Sequence, residues 1–230
     1  MNTIILLSFF ALVTAINHIH ADETNQRSLT YFFKPATTIL IFLIAFTANN
    51  ITPSPATTFY RNAILLGLLF SLAGDIFLML KNDYFIHGLV SFLIAHLFYI
   101  AAFTSAAALP PSPTTIFILI PLLIYAAYIF SQLWPHLKPD LQIPVIIYMW
   151  AILFMAWQAG NAWLAPTFTI NLPLTNFYPS QLSAFVGALF FVISDSALAL
   201  NRFRAPFPRA QRLVLSTYYF AQWLIALSLL

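Results

Sequence analysis

Apolar residues run along this chain in blocks too long for β-strands and too uniformly apolar for the one-sided stripe of a soluble helix. Eight blocks, at residues 3–20, 31–47, 60–80, 84–109, 114–133, 143–164, 181–200 and 209–229, each hold roughly 20 residues, enough to cross about 30 Å of hydrocarbon as an α-helix. Proline marks the gaps: Pro53, Pro55, Pro110, Pro111, Pro135, Pro139, Pro173 and Pro206 fall between blocks. Pro35 and Pro144 fall in predicted first turns, where a missing N–H does no harm. Pro121 is the exception, an expected kink in the fifth span. The pattern predicts an all-α polytopic membrane bundle of eight transmembrane helices, with residues 1–230 forming a single integral membrane domain.

Polar positions inside the blocks are few, and two repeat. Residues 67–80 read GLLFSLAGDIFLML and residues 187–200 read GALFFVISDSALAL. In both, Phe lies three residues after Gly, a small residue precedes Asp, and Leu follows Asp by three and five residues. Asp75 and Asp195 therefore occupy matched places 120 residues apart. A carboxylate in hydrocarbon costs at least about 2.5 kcal/mol unless paired, protonated or wetted, so two retained at matched depth point to function. The bland reading is a buried ion pair that ties helices together. The segments are spans three and seven, four crossings apart, and so run the same way across the membrane. They are candidates for a parallel repeat of four helices plus four, with a site between the halves.

Composition agrees, with 61% hydrophobic and 7% charged residues and a mean hydropathy of +0.88. Charge adds an orientation. Arg27, Lys34, Lys81, Lys138, Arg202, Arg204, Arg209 and Arg212 sit at the connections after spans one, three, five and seven, whereas Arg61 stands alone on the other side. The positive-inside rule then puts both termini outside the cytoplasm, with residence in a bacterial inner membrane expected for a helical bundle. These basic residues are juxtamembrane, so no nucleic-acid surface is expected. The chain has no cysteine, which removes disulfides, thiolate nucleophiles and Cys-based metal sites.

At 1.5 Å per residue, Asp75 lies about 9 Å above Lys81 and Asp195 about 10 Å above Arg202, in the cytoplasmic half. Lys34 and Tyr148 reach similar depth, while His96 and Gln222 lie nearer the midplane. Asn201, Arg202 and Arg204 close the bottom of span seven. Tyr99 and Tyr219 each follow their Asp by 24 residues. Each also has a structural reading: Lys34 as a snorkelling anchor, His96 as an interhelical hydrogen bond, Tyr148 and Tyr219 as interface aromatics, the arginines as topology signals.

The two Asp segments, together with FIHGLVSFLIAHLFYI at residues 85–100, Lys34 with Pro35, and YYFAQWLI near the C-terminus, resemble the lysoplasmalogenase (YhhN-like) family of eight-span membrane proteins. The resemblance covers most of the chain from span two onward. It implies hydrolysis of the vinyl ether bond of lysoplasmalogens to a long-chain aldehyde and a glycerophospho-alcohol, with a lysophospholipid substrate among membrane lipids and no metal or other cofactor. Carried onto this sequence, its polar positions are Lys34, Asp75, His96, Tyr99, Asp195, Asn201, Arg202, Tyr219 and Gln222.

That chemistry needs one group to protonate a vinyl carbon and another to stabilise the resulting cation and activate water, and two carboxyls can divide this work. Asp75 and Asp195 are the expected catalytic pair, in either order of roles. Lys34 or Arg202 is expected to hold the phosphate, with Tyr148 among the substrate contacts. The competing class is a proton-coupled transporter with the same aspartates as a relay.

Overall fold

The computed structural model describes residues 2–48, 54–81, 83–108, 110–111, 113–166 and 179–230. Pro53, Leu109 and Pro173, named above as span boundaries, lie outside them. Among the described residues there are eight long α-helices: α1 (Asn2–Glu23), α2 (Arg27–Thr47), α3 (Pro55–Met79), α4 (Phe85–Ala106), α5 (Ile116–Leu133), α6 (Pro139–Leu164), α7 (Pro179–Ala199) and α8 (Ala210–Leu227). By length and composition, seven are long and apolar enough to cross a membrane. The eighth, α8, has 18 residues, and Gln211, Arg212, Thr217 and Gln222 interrupt its apolar run.

Several helices begin before the apolar blocks do. Hydropathy marks where the chain enters hydrocarbon, whereas backbone hydrogen bonding continues into the polar interface. In α3 a cap fixes the start: Ser54 Oγ accepts from the Thr57 N–H at 3.1 Å, the Ser54 N–H donates to Thr57 Oγ1 at 2.8 Å, and Pro55 follows as first helical residue. Because α2 starts at Arg27, Pro35 is not in a first turn but inside the helix, and Pro144 likewise lies inside α6, which starts on Pro139. Pro121 is inside α5 as expected. After α7 the chain widens into one π-helical turn, Leu200–Arg204, and enters α8 through Arg209 in the left-handed region at φ 60°.

Packing follows a ring. Going round, α2 lies on α3, α3 on α4, α4 on α6, α6 on α7, α7 on α8, and α8 back on α2. Helix α1 lies outside the ring against α2 and α8, and α5 lies outside it against α6. In this order α3 and α7, the helices carrying Asp75 and Asp195, face each other across the ring. Large side chains such as Tyr60, Tyr99, Phe103, Phe191 and Met155 fill the interior, while Phe9, Phe32, Phe117 and Ile143 are exposed on the outside. Apolar groups covering the exterior suit a lipid surround.

Two crossings are close enough to need glycine. A Cβ on Gly67 would lie 2.3 Å from the Tyr99 ring, and one on Gly187 would lie 2.9 Å from the Ala221 carbonyl oxygen. The first joins α3 to α4 and the second α7 to α8, so both matched segments approach the next helix through their Gly. Gly67→Ala should destabilise by about 1–3 kcal/mol, because the fully buried Tyr99 ring cannot retreat. Gly160→Ala, whose Cβ would first meet the flexible tip of Ile118 at 2.7 Å, should cost less. Thermal unfolding of both variants in detergent checks the order.

Candidate functional site

Asp75 is 1% exposed and gathers partners from two helices, α2 and α8. Thr38 Oγ1 of α2 donates to its Oδ2 at 2.6 Å, Tyr218 OH of α8 donates to the same oxygen at 2.8 Å, and Lys34 Nζ of α2 stands 3.6 Å from Oδ1. Lys34 and Thr38 share one helix face by their four-residue spacing, which aims both at α3. A buried charge pair is tolerated when further hydrogen bonds satisfy the carboxylate, and here two hydroxyls do so.

Asp195 is held differently. Tyr148 OH of α6 donates to its Oδ2, and among the described residues no cation lies within salt-bridge reach. The Tyr148 ring is packed edge-on by His96, with centroids 5.1 Å apart, and His96 in turn packs edge-on against Phe191 at 4.8 Å. His96 is fully buried, and neither ring nitrogen has a hydrogen-bond partner among the described residues.

Both aspartates line one cavity of about 480 Å³ within the ring. Lys34, Lys81, Asp83, Asn201, Arg202 and Tyr218 give it polar walls, and Phe77, Tyr84, Phe85 and Phe92 an aromatic side. The π-helical turn carries Asn201 and Arg202 to it. Asn201 Oδ1 accepts from the Phe207 N–H at 3.3 Å, bracing the link to α8. Arg202 pairs with Asp83 and lies over the Phe85 ring at 5.0 Å, so a guanidinium and a carboxylate stand together where the chamber meets the basic side of the protein. Among the described residues no three of His, Asp and Glu converge as a metal centre requires.

The remaining sequence candidates lie off the chamber. Tyr99 OH donates to Gln222 Oε1 at 2.7 Å, a fully buried tie between α4 and α8. Tyr219 OH bonds His18 Nδ1 at 2.7 Å and faces α1. Its neighbour Tyr218 takes the place beside Asp75, because consecutive helical residues point about 100° apart. Thr38, Tyr218 and Asp83 were not anticipated from sequence. Thr38 had a usable signal, lying one turn from Lys34. Tyr218 required the rotational phase of α8, and Asp83 required the fold of the α3–α4 connection.

Residues 29–229 match the YhhN family. The chain is 33% identical to Lysoplasmalogenase TMEM86A of Homo sapiens over 195 residues, 84% of this chain and 74% of that protein. Identity to Lysoplasmalogenase TMEM86A of Bos taurus is also 33%, over 202 residues with the same coverage of each chain, 84% and 74%. The membrane protein YhhN of Escherichia coli O157:H7 is 28% identical over 228 residues, 97% of this chain and 99% of that protein. No solved structure matches the chain.

Removing one member of the Asp75 cluster tests the ion pair. Lys34→Met should destabilise by about 3–5 kcal/mol by stranding a buried carboxylate. Lys34→Met combined with Asp75→Asn should recover more than half of that loss. Unfolding in detergent of both single variants and the double variant measures the coupling, and additive losses would refute it.

Proposed function

The chain belongs to the YhhN family, and on that premise we propose that it is an integral membrane hydrolase that cleaves the vinyl ether bond of lysoplasmalogens, the ethanolamine and choline forms among them. The products are a long-chain aldehyde and the glycerophospho-alcohol. The observation that carries this reading is the pair of carboxyls lining one chamber with unlike partners, one beside an ammonium and two hydroxyls, the other beside a single phenol.

Asp195, with no cation beside it, carries the proton. It delivers that proton to the vinyl carbon β to the ether oxygen; the π electrons form the new C–H bond and leave an oxocarbenium ion. Tyr148 steadies the carboxylate left behind through the bond it already donates. Asp75, kept as a carboxylate by Lys34, Thr38 and Tyr218, faces the cation and takes a proton from water as the water oxygen adds to the cationic carbon. The hemiacetal then breaks its C–O bond to the headgroup. Its hydroxyl proton returns to Asp195, and Asp75 gives its proton to the departing oxygen, so both groups end as they began.

Lys34 is held in a buried pair with Asp75, whereas the pair of Arg202 with Asp83 is exposed and can open, so Arg202 and Lys81 hold the phosphate. His96 positions the Tyr148 ring, and the Tyr99–Gln222 bond ties α4 to α8 behind the chamber. In this reading α8 completes an eighth crossing, and the halves form a parallel repeat. The ring supports it: α2, α3 and α4 follow one another as α6, α7 and α8 do, and α1 and α5 are the outlying helices. The basic connections face the cytoplasm and both termini the other side, with the bacterial inner membrane as the setting.

Purified protein in detergent micelles should release aldehyde from lysoplasmenyl lipid with no sealed membrane, a condition under which a proton-coupled carrier has nothing to do. In D₂O the aldehyde should carry one deuterium on the carbon next to the carbonyl. Asp75→Asn and Asp195→Asn should each reduce release by at least about 10²-fold. Tyr218→Phe should impair turnover more than Tyr219→Phe. Wild-type rates in either Asp variant, shown folded by its elution and melting profile, would remove that residue from the mechanism.

A further inference from the structure

Asp195 borders two spaces. Besides the polar chamber it lines an apolar pocket of about 70 Å³, walled by Leu89, Ile129, Val145, Met149 and Ile152. Leu78, Phe85, Phe92 and Leu198 line both spaces, so chamber and pocket adjoin at Asp195. Met149 lines a third space of about 310 Å³ between α5 and α6, bounded by Leu123, Ala126, Ile146, Trp150 and Leu153. Leu123 and Trp150, which line this groove, are exposed, so it opens on the lipid-facing side of the bundle.

The seam is open for a physical reason. Helix α5 lies outside the ring and packs on α6 far more sparsely than α3 packs on α4. Its cytoplasmic end is anchored by a separate cluster of Ile129, Leu133, Leu137 and Val145, against which Leu200 and Phe203 of the π-helical turn also pack. Further along, between Leu123 and Phe130, α5 presents the short side chains of Ala126 and Ala127 to the groove. Anchored at one end and loosely filled along its length, the α5–α6 contact leaves room for a flexible chain.

We infer that the α5–α6 seam is the binding site for the single hydrocarbon chain of the substrate and its route to and from the bilayer. The identity of the lipid rests on the hydrolase reading above. Polar head and single chain match the sequence of spaces: phosphate by Arg202 and Lys81, the bond to be cut at Asp195, and the chain past Met149 into the seam. Met149 is the partition between the inner pocket and the outer groove, and an unbranched thioether can swing aside without leaving a void. Another apolar groove of comparable size, about 330 Å³ between α1 and α8, shares no lining residue with either the polar chamber or the inner pocket among the described residues.

A non-hydrolysable alkyl-ether lysophosphatidylethanolamine with a mid-chain diazirine tests the site without calling on activity. Irradiated with the full chain in micelles, it should label peptides of α5 and α6 around Ala126 and Met149, and Ala126→Trp should reduce that labelling by at least about tenfold. Labelling centred on α1 and α8, or unchanged by the substitution, would overturn the inference. In the same variant the ratio of long-chain to six-carbon-chain turnover should fall by at least about tenfold. An unchanged ratio would also overturn it. Leu153→Trp enters the groove from α6 and serves as the second variant. Absence of turnover by the unaltered protein would refute the hydrolase reading instead, and the labelling pattern would still decide the seam.

Discussion

A carboxylate cannot remain in hydrocarbon without partners, and the way Asp75 obtains them organises the bundle. Its charge is met by Lys34 and Thr38 from α2 and by Tyr218 from α8, so one side chain on α3 fixes three neighbouring helices of the ring. Separating any of the three would leave a buried charge or an unmet hydroxyl at several kcal/mol in a medium that supplies no substitute. The constraint that makes Asp75 expensive therefore also sets the relative position of α2, α3 and α8. Glu23 on α1 and Arg212 on α8, paired through two bonds of 2.6 and 2.7 Å, add a weaker exposed tie beside it.

Asp195 occupies the matched place on α7 with a different set of neighbours. Where Asp75 faces an ammonium, Asp195 faces the phenol of Tyr148, backed by the fully buried His96. Matched backbone positions with unlike partners give two carboxyls of unlike character in one chamber. Two ionised carboxylates would repel across it, and two neutral ones would offer no stabilising charge. The asymmetry lies in the partner helices and not in the Asp segments, which is why the segments read almost identically while their chemistry can diverge.

Much of this was legible in the sequence because isolated polar residues stand out against apolar runs. The Asp pair, Lys34 and Tyr148 were identified on that basis, and each borders one of the two spaces that meet at Asp195. The helical class was equally plain, since blocks of that length can satisfy their backbone groups in lipid only as helices. The sequence was silent where rotation or packing decides. Equal 24-residue spacings drew attention to Tyr219, but one step along α8 swings a side chain from the chamber to α1. Asp83 sits in a connection with no periodicity to place it. Helix starts at Arg27 and Pro139 lie outside the apolar blocks, and α8 is the helix whose polar content blurs the boundary between a span and an amphipathic segment. The looseness of α5 on α6 cannot be read from hydropathy, because residues facing lipid and residues facing a packed core are apolar alike, and α5 lies in the most apolar of the described candidate spans.

The dimensions of the joined spaces bear on why a one-chain lipid suits this site. The polar chamber, at about 480 Å³, can take a phosphate-bearing head with water, whereas the apolar pocket at Asp195 is only about 70 Å³ before it reaches Met149. On the proposed reading that pocket is the passage for one chain. A second chain on the same glycerol would have to remain in the polar chamber against Lys34, Asp83 and Arg202, losing its hydrophobic burial at about 0.8 kcal/mol per methylene. On the proposed reading, selection for lysolipids needs no residue that recognises the free hydroxyl of the glycerol. It follows from the proposed exit for hydrocarbon at the α5–α6 seam beside a chamber whose walls are charged.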